Sequence, residues 1–290
     1  MFRSLPPGDA IKTYRYLRVG MVLAVGLLAT AVVIEHSNVP NGCWQTSISA
    51  YYYTPVRALF VGSLIAIGFG LVVIKGTGPF EDSFLNFAGM LAPVVALVPT
   101  TNVGTCWSLQ PGPSPIKEDG SLAPWVLANI DNNIQALFIT GALGLASAII
   151  IALAVNKGFW KTYNVVDRGT RVSLTITAVL LAAAWALAAE WRDFPTKAHG
   201  YAAVLMFAFL AAAVISKAIE HWKKTKYARI YATLAAVMLV GAAVIWILRL
   251  GDDNVIAVLE GFEILAFAVF WSVQTADNWE ERVPLHDGSA

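Results

Sequence analysis

Charge is scarce in this chain, and so are the residues of metal and nucleophilic chemistry. Only 13% of its 290 residues are charged, about half the share of an ordinary soluble domain. A net charge of +1 offers no surface for a polyanion, so no nucleic-acid partner is expected. There are two cysteines and four histidines, and no HExxH pair occurs, which argues against a metal centre. No GxSxG elbow occurs either. The last two apolar runs contain no lysine, which excludes a retinal Schiff base. No catalytic residue, metal or cofactor is assigned. A long polar stretch is also missing. The widest gap between apolar runs, from Gly104 to Asp131, is about 28 residues, too short for a soluble domain.

Apolar sequence fills the space instead. Hydrophobic residues make up 57% of the chain, and runs of about 20 residues, enough to cross a bilayer, recur along its length. Eight are read, over 17–35, 56–75, 84–103, 132–155, 172–190, 199–219, 229–249 and 255–275. The predicted fold class is all-α, a polytopic transmembrane bundle of eight helices forming a single integral membrane domain over 1–290. The first run follows the basic preface "RYLR" and no small-residue cleavage site follows it, so it is expected to be retained as a helix.

Orientation follows from lysine and arginine, which short cytoplasmic loops keep and translocated loops lose. Alternating the loops of an eight-helix chain puts Arg57, Lys117, Arg192, Lys197 and Arg249 on one side and the other fifteen basic residues on the opposite side. That asymmetry predicts both termini in the cytoplasm, in the plasma membrane of the cell. Cys43 and Cys106 then both fall in outer loops, each followed by tryptophan. An oxidising compartment favours a disulfide between them; the alternative is two buried thiols.

Polar residues inside or beside the runs are the candidates for function, because an ionisable group in hydrocarbon costs several kcal/mol unless paired or wet. Glu260 and Glu263, three apart on the last helix, share a face about 9 and 13 Å below its outer start. Arg57 and Arg249 are the outer arginines able to reach them or to snorkel to the headgroups, and Arg57 is the expected partner. His199, at the start of the sixth run, reads as a hydrogen-bonded interfacial residue or as a base. "SISAYYYTPVR", residues 47–57, brings Ser49, Tyr51 and Arg57 to the outer start of the second helix. It is either an interfacial collar or part of a pocket. Asp131 lies on the same side. Pro93 and Pro99 should kink the third helix. A weak echo, "NIDNNIQALFITGAL" against "RLGDDNVIAVLEGFEI", pairs Asp131 with Asp252 ahead of the fourth and eighth helices.

The residues "ISAYYYTPVRALFVG" (48–62), "NFAGMLAPVVALVPT" (86–100) and "AHGYAAVLMF" (198–207), with a glutamate eleven residues before Trp271, resemble a functionally uncharacterised group of bacterial multi-pass membrane proteins. A more distant similarity to DRAM- and Sfk-type membrane proteins rests on the serine motif and the histidine. The resemblance covers helices 1–3 and 6–8, so that helices 4 and 5 look like an addition. It implies a fold and an outer polar cluster, and supplies no activity. Tyr52 or Tyr53 stands where the group often has histidine, which weakens a metal or base role there. The expected function is non-enzymatic: Ser49, Tyr51, Arg57, Asp131, His199, Glu260 and Glu263 form an outer-leaflet pocket for a lipid headgroup or small solute, with membrane lipids as partners. A proton-coupled transporter, using these residues as a relay, is the alternative, and an intramembrane lipid hydrolase stands behind it.

Overall fold

The structure is a computed structural model that describes residues 7–76, 78–104, 106, 112–155, 168–220 and 227–279. Lys157, Lys161, Lys223, Lys224, Lys226 and Arg282, which weigh in the charge asymmetry, lie outside the described residues, as do Arg3, His221 and His286. Eight α-helices occur among those described: α1 (Pro7–Asn38), α2 (Arg57–Val73), α3 (Pro79–Leu97), α4 (Pro124–Val155), α5 (Arg168–Glu190), α6 (Phe194–Glu220), α7 (Tyr227–Ile247) and α8 (Val255–Asp277). Among the described residues no β-strand forms, and one isolated bridge joins Ile116 to Leu122. Five helices, α1, α3, α6, α7 and α8, are long and apolar enough to cross a membrane, with mean hydropathies of 1.2 to 2.3 over their most apolar stretches. The 17 residues of α2 would reach about 26 Å, at the short end of what spans a bilayer.

The helix bounds differ from the apolar runs at several places, most of all in three helices. α1 is already helical at Pro7, the first described residue, well ahead of its run. α4 starts at Pro124, so Asp131 lies inside the helix, whereas its supposed counterpart Asp252 opens a 3-10 turn before α8. The two echo segments therefore differ in local structure. α3 covers Pro79–Leu97 rather than 84–103. Its end is set by Pro99, which pushes the preceding Val98 to φ −102°, ψ 103° and out of the helical region. Of the two prolines expected to kink α3, only Pro93 lies within it; Pro99 terminates it instead.

Packing joins six helices into a closed ring in the order α1, α2, α3, α6, α7, α8 and back to α1. α4 and α5 make their main contacts with each other and, for α4, with α3. The tightest crossings are those of α3 with α6 and with α2. In an apolar solvent close approach must come from small residues, since burying leucine against leucine gains little over lipid. Gly68 and Gly89 supply it. A Cβ added at Gly68 would stand 2.8 Å from the Gly89 carbonyl oxygen, and one at Gly89 would stand 2.6 Å from that of Gly68. Each is closer than real Cβ atoms come.

One end of the ring is filled by Met21, Leu71, Leu85, Tyr231, Phe270 and Trp271, the other by Leu28, Tyr51, Tyr52, Phe60 and Val95. A substitution at the crossing tests this packing. Gly89→Leu is expected to force α2 and α3 apart and lower stability by about 1–3 kcal/mol, measured by thermal unfolding in detergent, while the same change at Gly261, with open space around it, leaves the midpoint nearly unchanged.

Candidate functional site

The segment 43–57 is built by its own short-range bonds and then fastened to the helices. Cys43 and Cys106 are disulfide-bonded, with Cα atoms 5.9 Å apart. Their two segments are joined again where Thr46 Oγ1 donates to the Asn102 carbonyl at 2.8 Å. The Thr46 carbonyl in turn accepts from the Ala257 amide at 3.0 Å, satisfying one of the first-turn donors of α8 that no residue of α8 can reach. Ser49–Tyr53 form a 3-10 turn, opened by the Ala50 amide donating to Ser47 Oγ at 3.0 Å and closed by Thr54 Oγ1 donating to the Tyr51 carbonyl at 2.9 Å.

This turn is interior, not a wet collar. Tyr51 and Tyr52 are each 1% exposed. Burial pushes the phenols of Tyr51, Tyr52 and Tyr53 above the usual tyrosine range, with the Arg57 charge acting in the opposite sense at Tyr52. Tyr53 donates to the Thr100 carbonyl at 3.0 Å and meets Trp125 edge-on. Arg57 donates to the Tyr52 hydroxyl at 2.6 Å with its guanidinium 4.2 Å from that ring's centre. The expected pairing of Arg57 with the α8 carboxylates does not form. The tyrosine five residues back is nearer than a carboxylate on another helix and takes both the hydrogen bond and the cation–π contact.

Glu260 binds Ser49 instead. The Ser49 amide donates to Oε2 at 3.1 Å and its hydroxyl to Oε1 at 3.0 Å, across 211 residues of sequence. The Ile48 backbone amide also faces the carboxylate. Beneath this pair lies a cavity of about 60 Å³ between α1, α2, α3, α6 and α8. Its walls include Val25, Phe60, Phe207, Ile264 and Phe267, and Ser49 and Glu260 are its polar members.

The other predicted site residues disperse. Glu263, one turn deeper on α8, is 6% exposed, outside the cavity wall, with no hydrogen bond or ion pair among the described residues. Asp131 is exposed on α4 and accepts from Gln135 at 2.8 Å, so it is not part of the pocket. Arg249 is exposed in the turn after α7 at φ 51°. His199 is buried at 5% exposure, with Nδ1 3.1 Å from the Val95 carbonyl and 2.7 Å from that of Val98. Two acceptors require the proton on Nδ1. The cause is Pro99: the residue four beyond Val95 has no N–H to give it, and the imidazole of α6 supplies one. His199 is thus the cap of α3.

Sequence reasoning missed a second polar layer, at the opposite end of the ring. Arg18, Glu81, Lys217 and Gln274, from α1, α3, α6 and α8, are all between 0% and 1% exposed. Arg18 Nη1 donates to Gln274 Oε1 at 3.2 Å, and Gln274 Nε2 donates to Glu81 Oε1. Lys217 Nζ stands 3.7 Å from Glu81 Oε2. Arg18 also donates to the Tyr14 hydroxyl at 2.5 Å and lies 5.0 Å from the Trp271 ring centre. Tyr231 of α7 donates to Asp277 at 2.8 Å. The available signal was position: Arg18, Lys217 and Gln274 all fall inside apolar runs, yet Arg18 and Lys217 served only to count loop charge. Among the described residues no three of His, Cys, Asp and Glu converge as a metal site would require.

Comparison with protein-family models, with curated proteins and with solved structures found no match to this chain.

The buried layer yields a sharp test. Lys217→Met alone removes the cation facing Glu81 and is expected to cost about 3–5 kcal/mol, whereas Glu81→Gln combined with Lys217→Met recovers most of it. Unfolding of the four proteins in detergent checks this; equal losses from the single and double changes would remove the pair from the account.

Proposed function

We propose that this chain is a non-enzymatic, multi-pass protein of the cytoplasmic membrane, spanning it eight times with both termini in the cytoplasm, that binds a lipid headgroup or small solute in a pocket opening toward the outer side. We also propose that it belongs with the uncharacterised bacterial group its sequence resembles. The observation that carries the binding reading is the Ser49–Glu260 pair set at the head of an apolar cavity. A pocket of this kind, apolar walls with a few convergent polar groups, is the usual form of a small-ligand site. Five membrane-length apolar helices and the basic asymmetry support the location and orientation. The set of pocket residues narrows to Ser49 and Glu260, with Tyr51 beside them in the same turn, while His199 and Arg57 hold the walls.

Glu263 favours a second reading. A carboxylate buried near the middle of a membrane helix with no bond of its own is the kind of group that carries protons in coupled transport. The two readings separate in one preparation. Purified protein examined by native mass spectrometry is expected to carry a small co-purifying species that Glu260→Gln loses, and proteoliposomes under a pH gradient are expected to show no flux that depends on Glu263. A flux abolished by Glu263→Gln in a folded protein would replace the binding protein with a transporter.

A further inference from the structure

The charge around Glu260 is unbalanced, and the imbalance names a ligand class. At the Arg18 end of the ring, Lys217 faces Glu81, and Gln274 links Arg18 to the same carboxylate. At the Ser49 end, Glu260 has hydrogen-bond donors and, among the described residues, no cation in contact, because Arg57 is bound to Tyr52. Ser49 uses one acceptor position on each carboxylate oxygen and the Ile48 amide faces a third, out of about four such positions. One acceptor position therefore remains beside the cavity.

The rest of the wall suits a cation with a hydrocarbon tail. Phe60, Phe207 and Phe267 line the cavity with aliphatic residues between them. Aromatic faces attract ammonium groups, more strongly when water is excluded. An anion would be repelled by an ionised Glu260 and a neutral solute would favour its uncharged form, whereas a cation stabilises the carboxylate and binds to it. The cavity of about 60 Å³ holds the volume of roughly two water molecules, which a chain of two or three methylenes would fill.

We propose that the pocket takes a small aliphatic ammonium ion, its nitrogen on the Glu260 carboxylate and its alkyl chain among the phenylalanines. This rests on the binding reading above and specifies its ligand. The test is calorimetric titration of the full chain in detergent micelles with propylammonium, 1-propanol and propionate. Propylammonium is expected to bind at least about tenfold more tightly than 1-propanol, as a charge-assisted hydrogen bond should exceed a neutral one, and propionate not to bind. Glu260→Gln should bring propylammonium down to the level of 1-propanol and leave 1-propanol unchanged. If that variant fails to fold, Glu260→Asp, which withdraws the charge by one methylene, should weaken propylammonium alone. Ala203→Leu, filling the cavity from α6, should abolish binding of both. Equal affinities for propylammonium and 1-propanol, both lost in Ala203→Leu, would overturn the ammonium class and leave the pocket standing. Affinities for all three probes that Ala203→Leu does not change would overturn the pocket reading with it.

Discussion

Everything at the Ser49 end of this protein depends on the two hydrogen bonds from Ser49 to Glu260. A carboxylate among apolar side chains is unfavourable until donors reach it, and the α8 amides around Glu260 are used within the helix. The donors come from a 3-10 turn 211 residues earlier in the chain. That requirement draws the turn into the bundle, and its consequences spread along the segment. Tyr51 and Tyr52 are carried inside, Arg57 is left with Tyr52 as its partner, and Thr46 comes within reach of the first turn of α8. The disulfide and the Thr46–Asn102 bond hold the same segment from the other side. One buried charge thus decides the conformation of about ten residues.

The two polar layers solve the same physical problem in different ways. Among packed apolar side chains no bulk water is at hand to solvate a charge, so each buried ion must find its compensation within the protein. At the Arg18 end the compensation is charge against charge, spread over α1, α3, α6 and α8, with Gln274 relaying between Arg18 and Glu81. Such an arrangement holds four helices in one relation, and little about it invites a ligand. At the Ser49 end the compensation among the described residues is by dipoles, above a cavity. The closed ring sets both, because the helices that bring Glu81 to Lys217 at one end place Val95 and Val98 against His199 at the other.

Much of the architecture was legible in the sequence, because the membrane constraint is written in composition. Eight apolar runs correspond to eight helices among the described residues, and two cysteines in loops of the same parity are bonded. Helix ends were read less well, since polar residues such as Asn129, Asp131, Asn132 and Asn133 interrupt the apolar pattern of a segment that is nonetheless helical. Within the site, Ser49 and Glu260 were both visible as polar residues beside apolar runs. Their pairing with each other was not, because partner choice depends on which helices neighbour in the ring, and Arg57 had a tyrosine at hand that distance in sequence made local. His199 illustrates the same limit: its role is dictated by Pro99 on another helix, and only the packing of α3 on α6 joins them. The Arg18 layer escaped notice because residues near the ends of runs look like loop charge until the depth of the helix is known.

The central claim is that Ser49 and Glu260 are energetically coupled, and a double-mutant cycle measures that directly. Unfolding free energies of the native protein, Ser49→Ala, Glu260→Gln and the double variant, taken in one detergent, give the coupling as the departure from additivity. A hydrogen bond to a charged group predicts a coupling of about 1.5–3 kcal/mol. Strict additivity, with each single change costing what it costs in the presence of the other, would contradict the account.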